Sequence, residues 1–174
     1  MRTFSKAMGL AGLRLGYLAA HPRVIHEMQK ARLPFVVDHL AEAAGLALLA
    51  RPDMIAERVA ALKAGYQTLI TGVRALGLPA VDSAANFFLV KVPAAPAEVR
   101  ARMADRGIRI RDVSSYRALP GYVRFSVGTP EENAACLEAF ADVLAELGYA
   151  PPTNGAQGGD GLAEGETVAV SAGS

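Results

Sequence analysis

The chain opens with Met1-Arg-Thr-Phe-Ser-Lys-Ala-Met-Gly-Leu-Ala-Gly-Leu-Arg-Leu-Gly-Tyr17. Two hydroxyl residues, Thr3 and Ser5, precede Lys6, and a glycine-rich apolar turn then leads to Arg14. Because glycine lets the backbone bend tightly, this turn can bring the hydroxyls, the amine and the guanidinium to one small anion. The stretch therefore predicts a compact anion site that contains a reactive lysine.

The residue types in this turn suit one cofactor. A lysine amine can hold a carbonyl compound covalently, and a guanidinium with hydroxyl groups suits a phosphate monoester. Pyridoxal phosphate is the common cofactor that offers both an aldehyde and a phosphate. The competing interpretation is a surface Ser-Lys pair in a glycine-rich loop with Arg14 in an unrelated salt bridge. That interpretation would be the ordinary one for a lone Ser-Lys pair.

The whole string from Thr3 to Tyr17 resembles the cofactor-lysine segment of class I and II pyridoxal-phosphate aminotransferases, and it is most similar to the histidinol-phosphate branch. The resemblance implies that Lys6 is the catalytic lysine that binds the cofactor aldehyde. It also implies that Ser5, Arg14 and Thr3 contact the cofactor phosphate. Members of this family are usually homodimers, so we expect a dimeric full-length parent.

The resemblance extends over roughly residues 2–149, which would form the C-terminal part of a longer enzyme. We therefore expect a fragment of an α/β protein of fold type I. Residues 1–50 would be a remnant of the cofactor-binding large domain. Residues 51–149 would be a small α+β domain with its linking helix, and 150–174 a disordered tail, because they are rich in Gly, Pro, Ser and Ala. The family's upstream groups that orient the cofactor ring are absent from the sequence.

Composition excludes several other classes of protein. The chain has 174 residues, 52% of them hydrophobic, and a net charge of +1. This balance gives no reason to expect nucleic acid or a membrane as a partner. A single cysteine, Cys136, fits a reducing cytoplasm, and its apolar neighbours favour a buried, inert thiol. We expect no metal site, because the histidines lack partners at ligand spacing.

Hydrophobic periodicity predicts the elements of the N-terminal half. Asp38 is expected to cap a helix rather than to form a catalytic dyad with the adjacent His39, because neighbouring side chains seldom face each other. Pro22 and Pro52 suit the first turns of helices. The predicted elements are a buried strand over residues 12–20 and helices over 22–33, 38–50 and 52–76.

The second half alternates strands and helices, which is typical of a compact α+β lobe. Thr129-Pro-Glu-Glu132 has the pattern of a helix capping box. The predicted elements are a β-rich run over 81–92, a helix over 97–106, strands over 108–111 and 122–127, and a helix over 131–147.

Two arginines are the candidate substrate-binding residues of this lobe. Arg111 ends Gly107-Ile-Arg-Ile-Arg-Asp112, and Arg124 lies within Tyr122-Val-Arg-Phe-Ser-Val-Gly-Thr129. Alternation alone leaves open that Arg124 simply occupies an exposed strand face. The resemblance implies instead that Arg124 holds the α-carboxylate of an amino-acid substrate. It implies that Arg111 helps to bind the substrate phosphate or the side-chain carboxylate of glutamate.

The expected activity is transfer of an amino group between histidinol phosphate and 2-oxoglutarate, a step of histidine biosynthesis. An aromatic amino-acid aminotransferase or a threonine-phosphate decarboxylase of the same family is the alternative enzyme. A third possibility is an inactive fragment that acts only as a small folded or binding domain. It is raised by the missing upstream residues, since they supply cofactor orientation and the electron sink.

Overall fold

The computed structural model describes residues 1–150. Over this range the chain forms a two-stranded ribbon, a four-stranded sheet and five α-helices. The strands are β1 (Arg2–Thr3), β2 (Gly16–Tyr17), β3 (Ala80–Val81), β4 (Phe87–Lys91), β5 (Arg111–Asp112) and β6 (Tyr122–Ser126). The helices are α1 (Pro22–Lys30), α2 (His39–Leu49), α3 (Pro52–Ala75), α4 (Pro96–Asp105) and α5 (Pro130–Glu146).

The four-stranded sheet is antiparallel and has the strand order β3-β4-β6-β5. In its centre Leu89 of β4 lies opposite Arg124 of β6, and Val90 lies opposite Val123. Because side chains alternate along a strand, Val90 and Val123 point to one face, and Leu89 and Arg124 point to the other. Register thus assigns Arg124 to the face opposite the valines.

Helices α3, α4 and α5 cover the valine face and build the hydrophobic core. Three phenylalanines lie at its centre: the rings of Phe88 and Phe125 are stacked at 5.8 Å, and Phe125 meets Phe140 edge-on at 4.9 Å. The remaining fully buried core side chains come from the same sheet face and from the three helices: Leu69, Ile70, Val73, Val90, Val99, Met103, Val123, Val143 and Leu144. The opposite sheet face therefore remains available to a ligand or to other parts of the protein.

Helix α3 joins the N-terminal region to this core. At about 1.5 Å per residue its 24 residues span roughly 36 Å. Leu69, Ile70 and Val73 near its C-terminal end are buried in the core. Gly77, with φ of 77°, and Pro79 follow the helix, which matches the predicted stop. The predicted limits of α3 differ from the observed ones by one residue.

Asp38 caps α2 as the sequence predicted. Its carboxylate accepts a hydrogen bond of 2.8 Å from the backbone N–H of Ala41, while the His39 side chain is fully exposed. The two side chains therefore serve different roles, and the dyad alternative is wrong. Helix α1, by contrast, buries none of its residues within the described structure.

The predicted buried strand over residues 12–20 is wrong. Ala11–Leu13 form one turn of 3-10 helix, and Arg14 follows with φ of 49°, in the left-handed region. Only Gly16–Tyr17 form a strand in this range, and both residues are exposed. The alternation of apolar residues here suggested a buried strand. The partner strand in this chain is only two residues long, however, and Tyr17 remains 51% exposed.

The predicted strand over 108–111 is also displaced, since β5 begins only at Arg111. Gly107 has φ of 77°, and the N–H of Ile108 bonds to the carbonyl of Met103 at 3.0 Å. That bond closes the C-terminal turn of α4, so the backbone N–H of Ile108 is not available to pair with β6. The predicted tail lies, apart from Ala150, outside the described residues.

The capping box of α5 gives a stability prediction. Thr129 Oγ1 accepts from the N–H of Glu132 at 3.2 Å, and the Glu132 carboxylate accepts from the N–H of Thr129 at 2.8 Å. We expect Thr129→Ala to lower the free energy of unfolding by about 1 kcal/mol, because the helix end loses the side-chain acceptor that this box provides. Urea unfolding monitored by circular dichroism measures the change.

Thr71→Ala is the matched control, since Thr71 is an exposed threonine within α3. Its effect should stay within about 0.5 kcal/mol. Equal effects of the two substitutions would contradict the role assigned to the cap.

Candidate active site

The loop between β1 and β2 closes on itself through its backbone. Phe4 donates its N–H to the carbonyl of Leu15 at 3.0 Å and accepts from the N–H of Leu10 at 2.9 Å. A third bond of 2.8 Å runs from the N–H of Gly9 to the carbonyl of Lys6. The Phe4 side chain is buried and anchors the loop, so the polar side chains around it are held in a small volume.

Three of the predicted site residues, Thr3, Ser5 and Arg14, meet in this loop. The N–H of Ser5 donates to Thr3 Oγ1 at 3.1 Å, and Arg14 Nη1 donates to Ser5 Oγ at 3.4 Å. Arg14 Nη1 also donates to the carbonyl of Ala11 at 2.9 Å, which fixes the guanidinium over the loop. All three residues line one cavity of about 500 Å³.

This cluster fits a phosphate group. Within residues 1–150 Arg14 makes no ion pair with a carboxylate, so its positive charge is left for a ligand. Hydroxyl groups can donate to phosphate oxygens, and a guanidinium adds charge-assisted hydrogen bonds. The donors present are therefore those that a phosphate monoester requires.

Lys6 follows Ser5 in the sequence but faces a different cavity, which has a volume of about 560 Å³. The side chain is exposed, and within the described residues its ammonium forms no ion pair. The cavity is bounded by α3 and by the segment that leads into β4, and its lining includes Lys63, Tyr66, Ser83, Asn86 and Phe87. The structure thus places the cluster of Thr3, Ser5 and Arg14 in one cavity and Lys6 in another, although Ser5 and Lys6 are adjacent in one loop.

Helix α3 contacts the loop, although the two are far apart in the sequence. Arg58 Nη1 donates a hydrogen bond of 2.7 Å to the carbonyl of Met8, fifty positions earlier in the chain. The next residue, Gly9, has φ of 70°, and a β-carbon added there would overlap the Arg58 guanidinium. The sequence analysis did not identify Arg58, because hydrophobic periodicity carries no information about such a remote partner.

The substrate-arginine candidates face each other in the sheet. Arg111 of β5 lies directly opposite Arg124 of β6. Like charges at directly opposite positions repel, and neither guanidinium pairs with a carboxylate among residues 1–150. Arg124 Nε is also buried without a hydrogen-bond partner in the described structure. A buried donor without a partner costs free energy, and a bound anion would remove that cost by accepting its hydrogen bond. The two arginines are therefore arranged as in an anion site.

The nearby carboxylate of Asp112 does not neutralise the pair. It accepts hydrogen bonds from the hydroxyl and the backbone N–H of Ser114, at 2.6 and 2.8 Å. These two bonds lower the pKa of Asp112 below its ordinary value, and the charge of Arg100 adds a smaller effect in the same direction. Asp112 is thus ionised and engaged with the Ser114 turn.

Phe87 connects the two parts of the candidate site. The Arg124 guanidinium carbon lies over its ring, 5.0 Å from the centroid, and the same residue lines the Lys6 cavity. Neither Arg111 nor Arg124 lines that cavity or the cavity that contains Thr3, Ser5 and Arg14. Sequence reasoning missed Phe87, although its place in the alternating run Asn86-Phe-Phe-Leu-Val-Lys-Val92 put it on the face of β4 opposite Phe88.

Tyr66 and Asp82 fix the segment that leads into β4. Ser83 donates its N–H to Tyr66 Oη at 3.0 Å, and Arg74 Nη2 donates to Asp82 Oδ1 at 2.9 Å. Tyr66 Oη also lies 3.4 Å from Asp82 Oδ1. These contacts give the wall of the Lys6 cavity a defined shape.

Other reactive groups in the described structure offer no comparable site. Cys136 is half-buried, and burial raises the pKa of its thiol to about 11, so it is protonated at neutral pH and is a poor nucleophile. Within residues 1–150 no three His, Cys, Asp or Glu side chains lie close enough to hold a metal ion. The helices in that range are also too short or too polar to cross a bilayer.

Comparison with known proteins shows which family the chain resembles. The family model described as aminotransferase class I and II matches residues 1–140. The histidinol-phosphate aminotransferase of Streptomyces avermitilis is 43% identical over 145 residues, which are 83% of this chain and 38% of that protein. A second relative, histidinol-phosphate aminotransferase 2 of Ralstonia nicotianae, is 42% identical, with 83% and 39% covered. This chain thus spans about two fifths of the length of the curated relatives it matches.

Solved structures agree with the fold. The crystal structure of histidinol-phosphate aminotransferase from Sinorhizobium meliloti, in complex with pyridoxal-5'-phosphate, is 31% identical with a TM-score of 0.76. The match covers 84% of this chain and 40% of that one. L-threonine-O-3-phosphate decarboxylase from Porphyromonas gingivalis is 28% identical with a TM-score of 0.67, and 82% and 45% are covered. The predicted fold class, part of a fold type I enzyme with an α+β lobe, is confirmed.

The contact between Gly9 and Arg58 makes a prediction about the loop. Gly9→Ala would place a β-carbon against Arg58 in a left-handed backbone conformation, which alone costs about 1–2 kcal/mol. We expect amide hydrogen exchange within residues 3–16 to accelerate about 5- to 30-fold, while exchange in α5 is unchanged. Mass spectrometry of exchanged peptides measures both regions.

Gly12→Ala is the control within the same loop. A β-carbon added at Gly12 would meet no heavy atom within 4 Å, and the φ of Gly12 is not positive. If Gly9→Ala exchanged no faster than Gly12→Ala, the proposed anchoring of the loop by α3 would be wrong.

Proposed function

We propose that this chain, which belongs to the family of class I and II aminotransferases, carries the lysine and the arginines of a pyridoxal-phosphate-dependent transaminase. The proposed reaction transfers the amino group between histidinol phosphate and 2-oxoglutarate, as in histidine biosynthesis. The observation that carries the proposal is the grouping of Thr3, Ser5 and Arg14 in one cavity. Lys6 follows Ser5 in the sequence and forms no ion pair within residues 1–150.

In this proposal the loop cluster binds the cofactor phosphate. Ser5 and Thr3 donate from their hydroxyls, and Arg14 supplies the positive charge. The support is the 3.4 Å separation of Arg14 Nη1 and Ser5 Oγ, together with the hydrogen bond that holds Arg14 to Ala11. Because Lys6 follows Ser5 in the sequence, a phosphate bound by this cluster would keep the cofactor within reach of the Lys6 amine.

Lys6 has two tasks in the proposed reaction. Its Nζ would hold the cofactor through the aldehyde, and as a free amine the same Nζ would move a proton at the substrate carbon. Bound pyridoxal phosphate supplies an electron sink for the negative charge that develops on this carbon. A free amine can take up a proton, as this second task requires.

Arg124 and Arg111 bind the substrate in this proposal. Arg124 holds the α-carboxylate of the amino-acid substrate, and Arg111 helps to bind the substrate phosphate or the distal carboxylate of glutamate. Bidentate pairs of this kind contribute about 1.5–3 kcal/mol each. The support is their direct opposition in the sheet and the unsatisfied Nε of Arg124.

The proposal extends to the complete protein. Residues 1–50 belong to the cofactor-binding domain, and 51–149 form the small domain with α3 as its linking helix. The parent enzyme is a cytoplasmic homodimer. An aromatic aminotransferase or a threonine-phosphate decarboxylase uses the same residue types, and similarity to the Porphyromonas decarboxylase supports the second of these alternatives.

Covalent labelling tests the proposal at its central residue. The purified chain is mixed with pyridoxal phosphate, reduced with borohydride, digested and analysed by mass spectrometry. We expect one cofactor on the peptide that contains Lys6, and its loss in Lys6→Ala. Lys63→Ala is the matched control, because Lys63 lines the same cavity and should leave the labelling intact.

Labelling of Lys6→Ala at the wild-type level would refute the assignment. Glutamate formation from 2-oxoglutarate, with histidinol phosphate or phenylalanine as the amino donor, separates the two aminotransferases. Release of carbon dioxide from O-phosphothreonine reports the decarboxylase. Specific labelling of Lys6 without any amino transfer would support the alternative of a folded fragment that binds the cofactor but is inactive.

A further inference from the structure

We propose that Phe87 is a positioning residue that holds the Arg124 guanidinium in the orientation needed to bind a carboxylate. The inference rests on the proposed function, because it gives Arg124 a carboxylate ligand. It goes beyond that function by assigning a role to an aromatic residue outside the lysine and the phosphate cluster.

The contact is defined by the strand register. Phe87 of β4 pairs with Ser126, and Leu89 pairs with Arg124, so Phe87 and Arg124 are diagonal neighbours on the same sheet face. At such positions a long side chain can reach across an aromatic ring. The guanidinium carbon of Arg124 lies over the Phe87 ring, 5.0 Å from its centroid.

The electrostatic surroundings make this contact important for Arg124. The opposing Arg111 repels it, and Asp112 bonds to Ser114 instead. The negative face of an aromatic ring attracts a cation, and the attraction grows as water is removed. Among the described residues, Phe87 is therefore an attractive partner for a guanidinium that has no carboxylate.

The contact with Phe87 is compatible with binding of a carboxylate. The ring attracts the guanidinium through its own face, whereas a carboxylate accepts hydrogen bonds from the N–H groups along the guanidinium edge. Arg124 can thus keep its contact with Phe87 while it binds a carboxylate. Since Phe87 also lines the Lys6 cavity, the same ring sets the position of Arg124 relative to that cavity.

Nuclear magnetic resonance of the full chain tests the contact directly. An aromatic ring shifts protons over its face upfield, and the buried Nε–H of Arg124 provides a suitable reporter. We expect Phe87→Leu to remove the upfield shift and Phe87→Tyr to retain it, because tyrosine keeps the ring. Leu89→Val, a smaller apolar change on the same strand face, should retain the shift as well.

Affinity for glutarate, an unreactive dicarboxylate, tests the consequence. We expect Phe87→Leu to weaken glutarate binding about two- to fivefold, the range that corresponds to an exposed cation–π contact. Phe87→Tyr should bind like the wild type, and Arg124→Gln should lose binding. Thermal unfolding of each variant establishes that it is folded, and Phe87→Tyr preserves the test if Phe87→Leu is unstable.

The two possible failures are distinguishable. An Arg124 signal that does not move in Phe87→Leu, or glutarate affinity that is equal in Phe87→Leu and Phe87→Tyr, overturns the inference. Wild-type protein that binds no glutarate also overturns the positioning role, and it contradicts the carboxylate role of Arg124 in the proposed function. In that last case a moved signal would show that the ring contact itself exists.

Discussion

The arrangement of the candidate cofactor residues depends on the way residues 3–16 close on themselves. Two backbone hydrogen bonds at Phe4 set the path of this loop, and its buried ring keeps the loop in place. The hydrogen bond from Arg58 to Met8 then fastens it to α3, whose other end is embedded in the core. The loop and the antiparallel sheet are therefore linked through one helix, and both halves of the site depend on it.

Unpaired positive charge is the second common property of the site. Lys6, Arg14, Arg111 and Arg124 form no ion pairs within the part of the chain that the structure describes, whereas Arg102 on α4 binds both Glu98 and Glu146. Unpaired surface cations are ordinary. Arg124 differs because its Nε is buried. This arginine lies between Arg111 of β5 and Leu89 of β4, so neither facing residue offsets its charge, and an unoffset charge favours binding of an anion.

Sequence alone predicted the helices well, but it did not identify contacts between residues that are far apart in the chain. Asp38, Thr129 and the prolines at the helix starts act within a few residues of their own positions, so local chemistry is sufficient. The resemblance of residues 3–17 to the aminotransferases was also confirmed, because a long motif carries its own context.

The strand over residues 12–20 failed for the opposite reason. Burial of a strand depends on what lies beside it, and the alternation of Leu13, Leu15 and Tyr17 cannot specify that neighbour. Arg58 and Phe87 were missed for a related reason. The partner of Arg58 lies fifty residues away, and Phe87 acquires its contact with Arg124 only from the pairing of β4 with β6. The roles of Lys6, Thr3, Ser5, Arg14, Arg111 and Arg124 stay predictions.

Whether the Ser5–Arg14 cluster holds a phosphate beside Lys6 is tested most directly by phosphorus nuclear magnetic resonance of the borohydride-reduced adduct. Free phosphate monoesters take up a proton near a pKa of about 6. A phosphate that contacts Arg14 should stay doubly ionised to lower pH, because the guanidinium stabilises the dianion. We predict a phosphorus shift that titrates at lower pH than in free cofactor, and a return to the free value in Arg14→Gln. Identical titration of the adduct and the free cofactor would contradict the proposed phosphate site.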